Sequence, residues 1–170
     1  MRPSVYVETT VLSYLAARPS RDLVVAAHQR LTAEWWQDAP ARFALVASAA
    51  VAQEAAAGDP QVAAARLALL APLALLEVTP EALALAAGLL RAGHLPPKAN
   101  LDALHLAVAA VGRADYLATW NMRHLAGAVV RRRLERALGA AGYDPPTLCT
   151  PEELLTAPGE GAPDAGGADA

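Results

Sequence analysis

Residues 5–15 read VYVETTVLSYL, and this stretch decides the fold. Val5, Tyr6 and Val7 form a short apolar run that reads as a buried strand. Val11, Leu12, Tyr14 and Leu15 have the spacing of a helix that buries one face. Glu8 falls where the first element turns into the second. A buried, unpaired carboxylate is costly, so Glu8 implies a partner.

The rest of the chain repeats this alternation. Strand-like runs are expected at 4–8, 42–48, 73–78, 115–119 and 146–150. Helices are expected from about Thr10, from about Asp22 to Gln37 with Asp22 as cap, and from Ser48 to Ala57 with Ser48 as cap. Gly58 suits a left-handed helix end, and Asp59-Pro60 opens the next helix. Thr79-Pro80-Glu81 is a hydroxyl cap, a first-position proline and a first-turn acid, and that helix stops near Gly93. Asn100 reads as the cap of a helix through Val111, and a basic helix follows over about 128–141. Strands alternating with helices indicate an α/β layered fold with a largely parallel sheet.

Composition agrees with one folded domain. The chain has 170 residues, and 55% of them are apolar, enough to build a substantial core. Much of that fraction is alanine, which favours closely packed helices. The formal net charge of -3 gives no global reason to expect a nucleic-acid partner, although a local basic patch is compatible with it. A single cysteine, Cys149, excludes an internal disulfide and a cysteine-based zinc site, and reads as a small core residue. No stretch has the pattern of a signal peptide, and the apolar runs are broken before they could span a bilayer, so a cytoplasmic protein is expected. The tail 157–170 holds only small and polar residues with Pro and Gly, and is expected to be disordered.

Ligands in open α/β sheets collect outside the carboxyl ends of the strands. Glu8 lies at such an end, Asn121 lies just past the fourth strand, Glu54 sits in the helix after the second, and Asp102 opens its own helix. If these oxygen-bearing side chains converge, the partner of Glu8 is a divalent cation. Mg²⁺ and Mn²⁺ prefer oxygen ligands, and such a site neutralises charge that develops on a phosphate. An acid-x-acid pair after the first strand, a Gly-rich phosphate loop and a Gly-x-Ser-x-Gly elbow are all missing, which argues against a phosphate-ester hydrolase of another α/β family.

VYVETTVLSYL, AQEAAAGDP, LDALHLAVAAVGRADYLATWNMRHLA and CTPEELL together resemble a PIN-domain protein, more narrowly a VapC-type toxin of a type II toxin–antitoxin pair. The resemblance runs from about Val5 to Leu155. It implies a three-layer α/β/α sandwich in a PIN-like domain at 1–156, and a metal-dependent endoribonuclease that hydrolyses RNA with a metal-activated water. It makes Glu8, Glu54 and Asp102 the metal ligands for Mg²⁺ or Mn²⁺. Asn121 falls where many members carry a fourth acid, so a single metal is expected. An antitoxin partner and a homodimer are implied in the same way. Two departures stand out: position 8 is usually Asp, and Asn121 is neutral. The rival reading is a PIN-fold RNA- or protein-binding module without turnover.

Several neighbours could act around that site. Thr9 and Thr119 could bond phosphate or orient an acid; alternatively, Thr9 caps a helix and Thr119 simply favours its strand. His105 stands one helical turn after Asp102 on the same face, and could serve the site or be a hydrogen-bonded structural histidine. Arg123 and His124 could meet a phosphate. Trp120 could stack on a base or pack, while Trp35 and Trp36 read as core or interface. In VVRRRLERALGAAG, Val129, Val130, Leu134 and Leu138 can form an apolar side. Arg131, Arg132, Arg133 and Arg136 would then face out, as a solvated surface or a phosphate-tracking patch.

Overall fold

The computed structural model describes residues 2–156. The tail at 157–170, expected to be disordered, lies outside the described residues. The elements run β1 Ser4–Val7, α1 Thr9–Ala16, α2 Leu23–Arg42, β2 Ala44–Ser48, α3 Ala49–Ala55, α4 Pro60–Leu70 and β3 Ala74–Leu76. They continue with α5 Pro80–Arg91, α6 Asn100–Val111, β4 Tyr116–Ala118, a π-helical turn Met122–Ala126, α7 Ala128–Ala140, β5 Thr147–Cys149 and α8 Pro151–Thr156.

The five strands form one sheet in the order β3-β2-β1-β4-β5, and every pairing is parallel. Helices flank it, giving the α/β sandwich that the alternation implies. Parallel neighbours need crossover helices, and a strand covered on both faces must be apolar throughout. β1 meets that demand: Val5, Tyr6 and Val7 are all fully buried at the centre of the sheet. Its register sets Val5 opposite Leu45 and Tyr116, and Tyr6 opposite Val46 and Leu117.

Alanine does the packing work expected of it. Ala82 and Ala86 of α5 and Ala103, Ala107 and Ala110 of α6 are buried, and the two helices pack on each other. Larger core side chains are Trp35, Leu106, Leu117, Leu134 and Leu148. Trp36 is half-buried against that core. Cys149 is buried too, and its thiol is pushed up to about 12 by desolvation, which makes it inert. No helix among the described residues is long and apolar enough to cross a membrane.

The capping signals mostly act as expected. Asp22 accepts from the backbone N–H groups of Val24 and Val25, Asp59 from Gln61 and Val62, and Thr79 from Ala82. Gly58 has φ +87°, the left-handed conformation that a side chain would oppose.

Four readings need correction. Asn100 is the first helical residue of α6, and the cap position falls on Ala99, whose side chain has nothing to donate or accept. Ser48 stands at the cap of α3 without bonding the helix, because its hydroxyl is taken by Tyr6 Oη at 2.7 Å. α2 runs on through Pro40 to Arg42, five residues past Gln37; the proline cannot donate to the carbonyl one turn before it, and the helix ends two residues later. Val129 is 84% exposed and does not join Val130, Leu134 and Leu138 on the inner side of α7.

Two elements were not anticipated, the π-helical turn Met122–Ala126 and α8. In α8, Thr150 Oγ1 accepts from Glu153 N at 3.3 Å, while Glu153 Oε2 accepts from Thr150 N at 2.8 Å. This reciprocal capping box closes a helix of only six residues.

Candidate metal centre

The chain lays down β1, β2 and β3 on one side, then returns across β1 to place β4 and β5 on the other. The strand order therefore reverses between β1 and β4, and the crevice at their carboxyl ends is where such folds place ligands. Glu8 follows β1 directly, and its N–H donates to Ala118 O of β4 at 3.1 Å. Thr119, Trp120 and Asn121 follow β4 into the same crevice.

Glu8 is 2% exposed. Its Oε2 accepts from Thr119 Oγ1 at 2.8 Å, from Thr10 Oγ1 at 2.5 Å and from Thr10 N at 3.1 Å. The last bond caps α1, so the residue is a helix cap as well as a buried acid. All three bonds fall on Oε2, and Oε1 takes none of them. Burial raises the pKa of Glu8 above the usual carboxylate range, partly opposed by His105 and the threonine bonds.

Glu54, in the last turn of α3, reaches the same place. Its Oε2 lies 2.9 Å from His105 Nε2 of α6 and accepts from Thr9 Oγ1 at 2.6 Å. The hydrogen bond with His105 lowers the pKa of Glu54 below its ordinary value, against a smaller opposing effect of burial. His105 is fully buried, and its Nδ1 lies 2.9 Å from Tyr6 Oη. Ligand atoms of Glu8, Glu54 and His105 all lie within 4.8 Å of one another. Two carboxylates and an imidazole that close can hold a metal ion, whose charge would balance the buried Glu8 and the half-buried Glu54.

Asp102 and Asn121 form an adjoining pair. Asn121 Nδ2 donates to Asp102 Oδ1 at 2.8 Å, and His124 Nδ1 lies 2.8 Å from Asp102 Oδ2. Asn121 N donates to Thr119 Oγ1 at 2.9 Å, which links this pair to Glu8. Asn121 also shapes the π-helical turn: its Oδ1 accepts from His124 N, and its carbonyl accepts from Leu125 N and Ala126 N.

Among the residues expected at a site, the structure thus brings Glu8 and Glu54 together, with Thr119 orienting the first and Thr9 the second. Asp102, expected as the third ligand, is outside the Glu8–Glu54–His105 group and is held by Asn121 and His124. Arg123 is exposed on the π-helical turn and makes no hydrogen bond with the cluster. Trp120 packs: its Nε1 donates to Thr32 Oγ1 at 2.8 Å, and its ring stacks on His28 with centroids 4.1 Å apart. His105 enters the ligand group itself. Tyr6 and Ser48 behind it were not anticipated, because a tyrosine in an apolar strand reads as core until its hydroxyl is placed.

Comparison with protein-family models, with curated proteins and with solved structures finds no match to this chain.

Proposed function

We propose that this protein is a PIN-like, metal-dependent endoribonuclease of the kind that acts as the toxin of a type II toxin–antitoxin pair. The observation that carries the reading is the convergence of Glu8, Glu54 and His105 at the switch point of the sheet. The donor set fits a divalent cation such as Mn²⁺ or Mg²⁺, held by Glu8 and Glu54 with His105 beside them. A bound cation there supplies Lewis-acid stabilisation of the charge that develops on a phosphodiester.

The chain's own residues do the rest. Thr119, Thr10 and Thr9 fix the two carboxylates, so ligands need no reorganisation. Asp102 orients the His124 imidazole, an arrangement able to take up and pass on a proton at the crevice rim. The sequence resemblance supports an RNA substrate, an inhibitory antitoxin partner, a homodimer and a cytoplasmic site of action, and these belong to the proposal.

A binding module without turnover is the second reading. It is favoured by one observation: both oxygens of Asp102 are already taken, by the neutral Asn121 and by His124. Purified protein incubated with mixed RNA in Mn²⁺, Mg²⁺ or EDTA decides between them, with Glu54→Ala and Asp102→Ala in parallel. Cleavage that needs metal and is lost in Glu54→Ala supports the nuclease. RNA bound but left intact by folded protein, with either metal, supports the module.

A further inference from the structure

His105 has both ring nitrogens engaged in the interior of the protein. Nε2 faces Glu54 Oε2 at 2.9 Å, Nδ1 faces Tyr6 Oη at 2.9 Å, and Tyr6 Oη faces Ser48 Oγ at 2.7 Å. His105, Tyr6 and Ser48 are all fully buried. Two hydroxyls and a neutral imidazole in a row can be satisfied in either direction, since each hydroxyl can donate or accept. With Nε2 protonated, it donates to Glu54 and Nδ1 accepts from Tyr6. With Nδ1 protonated, it donates to Tyr6, Tyr6 donates to Ser48, and Nε2 is left with a bare lone pair facing the two carboxylates.

We propose that His105 Nε2 is a direct ligand of the cation held by Glu8 and Glu54, that Tyr6 and Ser48 set its tautomer from behind, and that this two-carboxylate, one-imidazole set selects a first-row transition-metal dication over Mg²⁺. The proposal rests on the metal-centre part of the function proposed above and is independent of RNA.

Three features support it. Cis ligands on an octahedral ion with bonds of about 2.1 Å lie about 3 Å apart. The 2.9 Å between His105 Nε2 and Glu54 Oε2 matches that spacing. A ligating histidine also needs an acceptor for its other N–H, and Tyr6 Oη stands at that position with its own acceptor behind it. Finally, two carboxylates, a dication and a neutral imidazole sum to no charge, which offsets the cost of holding Glu8 in the interior beside the buried His105, while the half-buried Glu54 leaves the cation a side open to water. Imidazole favours transition-metal ions, whereas Mg²⁺ prefers all-oxygen shells and gives up its waters reluctantly.

Pulsed EPR of the full chain loaded with Mn²⁺ alone tests this directly. Wild type is expected to show the electron-spin-echo modulation of a coordinated ¹⁴N, retained in His124→Gln and lost in His105→Gln. Mg²⁺ is expected to displace Mn²⁺ only at more than about tenfold excess. Tyr6→Phe keeps the ring packing and is expected to weaken Mn²⁺ binding about 10–100-fold. Bound Mn²⁺ without nitrogen coupling, coupling lost in His124→Gln, or equal affinity for Mg²⁺ would each overturn the inference and leave the nuclease reading standing. Should His105→Gln fail to fold, the wild-type and His124→Gln spectra still decide. No Mn²⁺ bound by wild type would overturn the metal centre itself.

Discussion

Thr119 Oγ1 donates to Glu8 Oε2 at 2.8 Å, joining residues 111 apart in the chain at the carboxyl ends of β4 and β1. The same Thr119 oxygen accepts from Asn121 N, so one hydroxyl couples the buried acid to the loop that carries Asn121 and His124. This bond is part of the answer to how Glu8 is tolerated inside the protein. The rest comes from Thr10, and from the cation that Glu8 shares with Glu54 under the proposal.

Thr119→Val keeps the shape of the side chain and removes both bonds. Because it leaves a buried carboxylate and a backbone N–H each short of a partner, the expected cost is about 2–3 kcal/mol. Chemical denaturation against wild type measures it. A change of a few tenths of a kcal/mol would show that water replaces the hydroxyl.

Gly127 follows the π-helical turn with an ordinary φ of -67°, so its need for glycine is steric. A Cβ there would stand 2.5 Å from Met122 O, a backbone atom that cannot swing aside. Gly127→Ala is expected to destabilise by about 1–3 kcal/mol. Hydrogen exchange should also speed up at Leu125 and Ala126, whose N–H groups bond Asn121 O. Unchanged exchange at both would mean that the clash is absorbed elsewhere.

Asp115 ties the start of β1 to the start of β4 by accepting from Ser4 N and Ser4 Oγ, each at 2.7 Å. The backbone bond first, then the hydroxyl, lowers its pKa below the ordinary value. A carboxyl with a depressed folded pKa stabilises the protein above its unfolded pKa and loses that contribution as pH falls toward the folded value. Wild type should therefore exceed Asp115→Asn by up to about 1 kcal/mol near neutral pH, a small figure because the group is exposed. The gap should close below about pH 4. Thermal melts of both proteins from pH 7 to pH 3 would show this, and a gap that widens on acidification would contradict it.

Metal binding should appear as stability. At about 100 times its dissociation constant, Mn²⁺ is expected to stabilise the folded chain by about 2.7 kcal/mol, and EDTA should reverse the shift. Glu54→Gln is expected to lose most of it, since the amide surrenders a charge and the ligand next to His105. The same melting shift in Glu54→Gln as in wild type would place the ion elsewhere.

How much of this was legible in the sequence follows from the range of each interaction. Local signals hold up well. Asp22, Asp59 and Thr79 cap the helices their positions announce, and the apolar run Val5–Tyr6–Val7 becomes the central strand, because capping and burial periodicity depend on neighbours within a turn or two. α8 shows a local signal passed over: Thr150-Pro151-Glu152-Glu153 has the same hydroxyl-proline-acid opening as Thr79-Pro80-Glu81. By contrast, Asn100 has the right residue type for a cap but begins its helix one position too late to serve as one.

The sequence by itself determined the α/β alternation, the parallel sheet and the placement of Glu8 at a strand end, because hydrophobic period and cap chemistry are properties of short segments. Only the tertiary structure decided which side chains meet. Strand order set Glu8 beside Thr119, and the packing of α3 and α6 around β1 brought Glu54 and Tyr6 to His105 while Asp102, one turn earlier on α6, went to Asn121 and His124. Partners 19 to 111 residues apart leave no periodic trace in a single chain; their meeting depends on which strands are neighbours and on side-chain reach of a few ångströms.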